Sequence, residues 1–221
     1  MEALRLSTYV KRLFSILIVA SAFSLSYGQM SDEKIAEAYS NSYNLEYQQR
    51  YLDAIRALDE LYKNYESTYT VNLRIGWLYY LNGNFSNSQR HYLKALAIYP
   101  ASVEAMLGLC NMFAAKQSWR ELESQAIRIL KVDYYNFDAN LWIAYALRMQ
   151  GKHAKAETYS RKMLLLYPSS VKLLNELGIS LYNQKKFKGA QEIFASVLIL
   201  DPLNIDASFF IKKPADNHNL K

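Results

Sequence analysis

The strongest constraint on this chain is a residue pattern that recurs every 34 positions. Three of its four prolines follow this step, since Pro100 and Pro168 are two periods apart and Pro168 and Pro202 are one period apart. A ring-containing side chain recurs at the same step, at Tyr51, Phe85, Trp119, His153 and Phe187. A fixed period of this length is the signature of a repeat architecture, in which each unit packs on its neighbours along the chain.

Each unit of the pattern reads as a pair of helices. At this period the chain divides into five units, 35–68, 69–102, 103–136, 137–170 and 171–204. Each unit holds two stretches whose apolar residues follow the i, i+3, i+4, i+7 spacing of an amphipathic helix. The second stretch of the last unit ends at Asp201-Pro202, because proline cannot continue a helix. With glycine (7) and proline (4) both scarce, we expect an all-α chain.

Small residues and prolines occupy fixed positions of the units, each counted from its first residue. Position 8 holds Ser42, Gly76, Cys110, Ala144 and Gly178; position 20 holds Ala54, Ser88, Leu122, Ala156 and Ala190; position 32 holds Glu66, Pro100, Tyr134, Pro168 and Pro202. This arrangement resembles the tetratricopeptide repeat, a helix–turn–helix unit whose length equals the step seen here and whose two helices cross closely at positions 8 and 20. The resemblance implies a right-handed superhelical solenoid of about five repeats. It is weakest in the first repeat, with Glu66, and in the third, with Leu122 and Tyr134.

The same resemblance implies a concave groove lined by the first helix of each repeat, through positions 2, 5, 9, 12 and 13. The predicted groove residues are mostly aromatic, with a few polar side chains: Tyr39, Tyr43, Tyr47, Trp77, Tyr80, Asn111, Tyr145, Arg148, Asn175 and Tyr182. Tyrosine and tryptophan offer a large contact area with little rotamer entropy to lose. We therefore expect a scaffold that binds a peptide or protein segment. Two alternatives stay open: a groove that binds a glycan or cell-wall component, and tyrosine that is simply abundant everywhere, at 19 residues.

The two ends of the chain lie outside the repeats. Residues 1–28 have the order of a secretory signal: basic residues, the apolar stretch 13–25, and small residues before a cleavage site after Gly28. An uncleaved anchor is the competing reading, although a spanning helix needs roughly 20 apolar residues. We expect an exported protein of the periplasm or cell envelope, associated with the membrane only through a retained signal segment or a partner. Residues 29–34 form a lead-in, and 205–221 a short partial capping helix with a polar tail.

The sequence offers no site for catalysis, metal or cofactor. The three histidines, His91, His153 and His218, do not have the spacing of metal ligands, and the single Cys110 lies at a small-residue packing position. The chain lacks a Gly-x-Ser-x-Gly nucleophile motif and a glycine-rich phosphate loop. Its 26 basic and 20 acidic residues are interspersed, which argues against a nucleic-acid partner. We predict a non-enzymatic protein whose partner and oligomeric state the sequence leaves open.

Overall fold

A computed structural model describes residues 30–213, and this part of the chain is helical, with no β-strand. The predicted signal segment 1–28 and the end of the tail, 214–221, lie outside the described residues. The described residues form two compact units, 30–66 and 67–213.

The first unit contains the first repeat. Its helices are α1 (Asp32–Tyr47), α2 (Tyr51–Arg56) and α3 (Asp59–Tyr65). Helix α1 begins shortly before the predicted repeat boundary at 35, where the Ser31 side chain accepts a hydrogen bond from the Lys34 amide. The second helix of this repeat is interrupted at 57–58 and forms the separate α2 and α3. The pairing of helices thus holds, with one break that the periodicity does not predict.

The second unit contains the other four repeats and a final helix. Its helices are α4 (Tyr69–Leu81), α5 (Phe85–Ile98), α6 (Val103–Ala115), α7 (Trp119–Leu130), α8 (Phe137–Met149), α9 (His153–Leu164), α10 (Val171–Asn183), α11 (Phe187–Leu200) and α12 (Ile205–Lys212). Every repeat in this unit therefore holds one helix pair, and the predicted repeat step is kept throughout. Successive helices pack on each other, and the first helices of neighbouring repeats also touch.

The last position of a repeat supplies the N-cap of the first helix in the following repeat. In four cases the side chain accepts a hydrogen bond from the amide three positions on, namely at Ser102, Asn136, Ser170 and Asn204. These residues satisfy one of the amides that a helix start leaves without a partner in the helix. The last of them starts α12, so residues 205–212 are placed like the first helix of a sixth repeat.

The core lies where the sequence predicts it. The position-20 residues are at most 1 % exposed, and Ser42, Cys110 and Ala144 at position 8 are fully buried. At Gly178 an added Cβ would lie 2.6 Å from the ring of Phe194, which shows how closely α10 and α11 approach. Leu122 departs from the small-residue preference at position 20 but is still fully buried.

Helix α12 closes the far end of this core. Ala207 is fully buried, and Phe210 stacks on Phe194 with ring centroids 5.2 Å apart and planes within 6°. Phe210 is partly buried, and the apolar surface that it removes from water stabilises the last repeat. Helix α12 occupies 205–212, within the segment 205–221 for which the sequence predicts a short capping helix and a polar tail.

Candidate functional site

A cavity of about 520 Å³ opens along the first helices of the third, fourth and fifth repeats and along α12. Helix α6 contributes Leu107 and Asn111, α8 contributes Asp138, Leu141, Trp142 and Tyr145, α10 contributes Lys172, Asn175 and Glu176, and α12 contributes Asp206. We call this the groove cavity. All of these residues fall at positions 2, 5, 6 and 9 of their repeats. These positions have the spacing i, i+3, i+4, i+7, so each helix turns one continuous face to the cavity.

The aromatic part of the groove cavity is held in place by a third ring. Tyr145 meets Trp142 edge to face, with ring centroids 5.8 Å apart, and meets Trp119 of α7 in the same way at 5.7 Å. Edge-to-face geometry is the favoured arrangement for such pairs. Trp142 is partly buried and packs against the main hydrophobic core of the unit. The rings are therefore preorganised before any guest arrives.

A nearly buried ion pair joins α8 to α10 at the edge of the groove cavity. The Arg148 guanidinium donates from Nε to Glu176 Oε2 at 2.6 Å and from Nη2 to Oε1 at 3.2 Å. The same guanidinium lies 4.9 Å from the centroid of the Tyr145 ring. Burial raises the pKa of the Glu176 carboxyl, Arg148 opposes that shift, and the nearby Asp206 adds to it. The pair fixes the spacing of two repeats and neutralises one of the cavity's carboxylates.

Asn175 lines the groove cavity and has a buried acceptor without a partner among the described residues. Its Nδ2 donates to Asn204 Oδ1 at 3.2 Å, and that oxygen also accepts from the Ala207 amide. Because Asn204 Oδ1 is fixed as an acceptor, the Asn175 atom that faces it must be the nitrogen. The Asn175 Oδ1 atom is then buried and has no hydrogen-bond partner among residues 30–213. A buried acceptor of this kind needs a donor from water or from a guest.

Of the predicted groove residues, the structure brings Asn111, Tyr145 and Asn175 together in the groove cavity. Arg148 lies beside them, but its guanidinium is already paired with the Glu176 carboxylate. Tyr182 packs on Phe210 of α12, at 5.0 Å between ring centroids, and is thereby partly covered.

Trp77 and Tyr80 lie on α4, outside the groove cavity. Their ring centroids are 5.4 Å apart, and Tyr80 also contacts Phe85 at the start of α5. These two residues belong to the second repeat, whereas the groove cavity begins at the third.

The remaining predicted residues, Tyr39, Tyr43 and Tyr47, belong to the first unit, where they lie on α1. Tyr47 is 92 % exposed and Tyr43 is 58 % exposed, whereas the Tyr39 hydroxyl is buried and has no hydrogen-bond partner within residues 30–213. Exposed tyrosines on one helix offer contact area for a partner.

The predicted set misses several residues that line the groove cavity, among them Trp142, Glu176 and Asp206. Trp142 and Glu176 share position 6, a position that the family's pattern of groove residues does not include. Asp206 continues the position-2 series of Asp138 and Lys172 at the same repeat step. Continuing the repeat step past residue 204 predicts Asp206 as a further groove residue.

Other chemistry is sparse in the described part of the chain. Within residues 30–213, no group of three or more His, Cys, Asp and Glu side chains is placed to hold a metal ion. Burial raises the pKa of the Cys110 thiol to about 12, so this cysteine stays protonated and unreactive at neutral pH. No helix between residues 30 and 213 has the length and apolar character that crossing a membrane requires.

Comparison with known families agrees with the helix pairs. Two family models, each described as tetratricopeptide repeat, match residues 39–103 and 138–170. The chain contains tetratricopeptide repeats. No curated protein matches the chain significantly.

Solved structures with the same fold extend the likeness over most of the chain. MamA 41-end from Desulfovibrio magneticus RS-1 superposes with a TM-score of 0.69 at 16 % identity, over 79 % of this chain and 98 % of that one. Another MamA crystal structure gives a TM-score of 0.66 at 16 % identity, over 78 % and 94 %. YrrB, described as a TPR protein with an unusual peptide-binding site, gives 0.63 at 13 % identity, over 78 % and 89 %. At these identities the likeness establishes the fold, which is the tetratricopeptide-repeat solenoid.

Proposed function

We propose that this protein is a non-enzymatic scaffold that holds a peptide or protein segment in the groove cavity. The observation that carries the proposal is the cavity itself, which runs along consecutive first helices and has Leu107, Leu141 and Trp142 in its lining. A cavity that spans several helices and combines apolar with polar side chains suits a polypeptide segment. YrrB, which shares the fold, is described as having a peptide-binding site, and this supports the same use of the fold here.

The setting of that function is a second part of the proposal. We infer export to the periplasm or cell envelope from the secretory pattern of residues 1–28. In that setting the scaffold would hold a component of an envelope assembly. Mass spectrometry of the protein purified from its own cells is expected to find a mature chain that begins at Gln29. A chain that retains Met1 and stays in the membrane fraction would instead mean an uncleaved anchor.

Site-specific photo-cross-linking tests the groove directly in cells. A photoreactive phenylalanine analogue replaces Leu141, which lines the groove cavity, or, as the matched control, exposed Lys155 on α9. We expect a discrete higher-mass adduct at position 141 and none at position 155. Melting curves of both purified proteins verify that each is folded.

The nature of the adduct separates the possible guests. Digestion with a protease should shorten the adduct at position 141, because the guest is a polypeptide. An adduct that resists protease and yields to glycan-cleaving enzymes would contradict the proposal in favour of a glycan. Adducts of equal yield at positions 141 and 155 would contradict the groove as the binding surface.

A further inference from the structure

The groove cavity carries an excess of negative charge. Asp138 and Asp206 make no ion pair with any residue between 30 and 213, and the carboxylate of Glu176 is already matched by Arg148. Among the described residues, Lys172 is the one lysine or arginine that lines the cavity. Two unmatched carboxylates against one ammonium leave a net negative surface, which attracts cationic guests and repels acidic ones.

The groove cavity also contains hydrogen-bond acceptors that lack a donor from the described residues. Besides the carboxylates, the Asn175 Oδ1 atom is buried without a donor from residues 30–213. A guest that enters this cavity must therefore bring N–H or O–H groups, since an acceptor left unpaired on burial costs roughly 1–3 kcal/mol. A lysine or arginine side chain brings several N–H donors together with positive charge.

A carboxylate and an aromatic face lie side by side on α8. Asp138 and Trp142 stand at positions i and i+4 of the same helix, so they are neighbours on one face, and both line the cavity. Tryptophan is the aromatic side chain that attracts a cation most strongly, and a carboxylate beside it adds a charge-assisted hydrogen bond. The pair has the composition of a receptor for an ammonium or guanidinium group.

The protein already holds one guanidinium in this way, at the neighbouring site. Arg148 lies 4.9 Å from the centroid of the Tyr145 ring while its nitrogens bind the Glu176 carboxylate. Tyr145 and Glu176 hold Arg148 through an aromatic ring and a carboxylate. Trp142 and Asp138 offer the same two groups to a guest. At the second site the carboxylate and the ring have no such cation from residues 30–213.

We propose that the groove cavity selects a polypeptide segment that carries a lysine or arginine, whose cation packs on Trp142 and pairs with Asp138. The segment lies extended along the first helices that line the cavity. This inference rests on the proposed function, because it specifies the guest of the same groove.

Selection from a peptide library tests the inference without knowledge of the natural partner. The full chain is immobilised and challenged with a display library of random peptides of about ten residues, which reach roughly 30 Å when extended. We expect the bound peptides to be enriched in lysine and arginine. In the best of them, replacing the basic residue with norleucine should weaken binding about tenfold or more, equivalent to about 1.4 kcal/mol.

Matched acid-to-amide variants locate the cation. Asp138→Asn is expected to weaken the selected peptide by a similar factor and to make the norleucine exchange almost neutral, because both changes remove the same contact. Glu121→Gln, on an exposed acid of α7 outside the cavity, should leave the affinity unchanged. Trp142→Leu is a second variant, interpreted only if its melting curve shows a folded protein.

The outcomes separate this inference from the proposed function. Peptides that bind in the cavity without a basic residue, or that are enriched in aspartate and glutamate, overturn the inference and leave the scaffold function standing. Full affinity of the basic peptides for the Asp138→Asn variant also overturns it. A library that yields no bound peptide counts against both proposals.

Discussion

At the scale of single residues, one turn position decides how each pair of helices is joined. Position 15 has a positive φ in all five repeats: Gln49 (59°), Gly83 (74°), Gln117 (56°), Gly151 (73°) and Lys185 (62°). The left-handed region is natural for glycine and costs other residues roughly 1–2 kcal/mol. The first, third and fifth repeats therefore keep a strained residue where the second and fourth have glycine.

Exchanging residues at this turn should change stability in opposite directions. Lys185→Gly is expected to raise the free energy of unfolding by up to about 1 kcal/mol, because relief of strain exceeds the added entropy of the unfolded chain. Gly151→Ala should lower it by about 1 kcal/mol. An added Cβ at Gly151 has no atom within 4 Å, so backbone conformation alone would be responsible. Urea unfolding of the two variants measures both changes, and a stabilised Gly151→Ala protein would contradict the assignment of strain.

The other decisive residues are the glycines at the closest helix crossings. A Cβ at Gly178 would lie 2.6 Å from the Phe194 ring, and one at Gly108 would lie 2.3 Å from the Tyr92 ring. Real Cβ atoms do not approach neighbours this closely, so a side chain at either site must push the aromatic ring away. In a fully packed core that movement is expensive.

Gly178→Ala is therefore expected to destabilise the protein, although alanine is the better helix former. Overpacking costs about 1–3 kcal/mol, which exceeds the gain in helix propensity of about 1 kcal/mol. Gly189→Ala is the matched control, because its added Cβ meets only Leu181 Cδ1, at an ordinary 3.7 Å. Thermal melts should show a lower midpoint for Gly178→Ala and an unchanged or higher one for Gly189→Ala. Equal midpoints for the two variants would rule out the close crossing.

At the scale of helices, a glutamate on the second helix ties each middle repeat to the turn of the next. Glu123 Oε2 accepts hydrogen bonds from Gln150 Nε2 at 2.7 Å and from Lys152 Nζ at 3.2 Å. One repeat later, Glu157 Oε2 accepts from Gln184 Nε2 at 2.9 Å and from Lys186 Nζ at 2.7 Å. The two arrangements are one repeat step apart in the sequence and hold the third, fourth and fifth repeats in register.

Neutralising Glu157 should remove this connection and a pH-dependent part of the stability. Desolvation alone would raise the pKa of the Glu157 carboxyl, but hydrogen bonds from Lys186, Arg161 and Gln184 outweigh it and hold the pKa below the ordinary 4.5. The stabilisation is therefore complete above about pH 4.5 and disappears as the pH falls through the lower, folded-state pKa. Glu157→Gln should cost on the order of 1 kcal/mol at neutral pH.

Unfolding measured over a range of pH checks this sign. The difference between the parent protein and Glu157→Gln should shrink steadily as the pH falls below 4.5, the ordinary pKa of the group. Glu192→Gln, on an exposed glutamate of α11 without an ion pair in the described chain, is the control and should change little at any pH. A difference that grows in acid would contradict a lowered pKa.

At the scale of the whole molecule, periodicity predicts the helices better than it predicts the groove. The repeat step gives the helix pairs of 67–213, because turn, cap and crossing positions all recur with it. It does not predict the break at 57–58 that separates α2 from α3. The repeat pattern also predicts a small residue at position 20, where this chain has Leu122 in the third repeat. Yet Leu122 is fully buried, and the same repeat has only Ala126 at position 24, where the second and fifth repeats have Tyr92 and Phe194.

In the third repeat a large residue at position 20 is thus combined with a small residue at position 24. This compensation in volume is missed when each position is compared separately with the residue that the repeat family prefers there. The groove is harder to predict for a related reason. Position 6 faces the core in one repeat, at Gly108 against Tyr92, and the cavity in the next two, at Trp142 and Glu176. The repeat step alone does not distinguish these two surroundings of position 6.

The central claim is that a polypeptide guest lies against the first helices of the repeats. Hydroxyl-radical footprinting of the full chain, with and without the tightest peptide from the library, tests it most directly. Bound peptide should slow oxidation of Trp142 and Leu141 in the groove cavity and leave unchanged that of Leu165 and Ile199, which are 84 % and 80 % exposed at the ends of second helices. Protection of Leu165 and Ile199 with Trp142 still oxidised at its original rate would contradict the account.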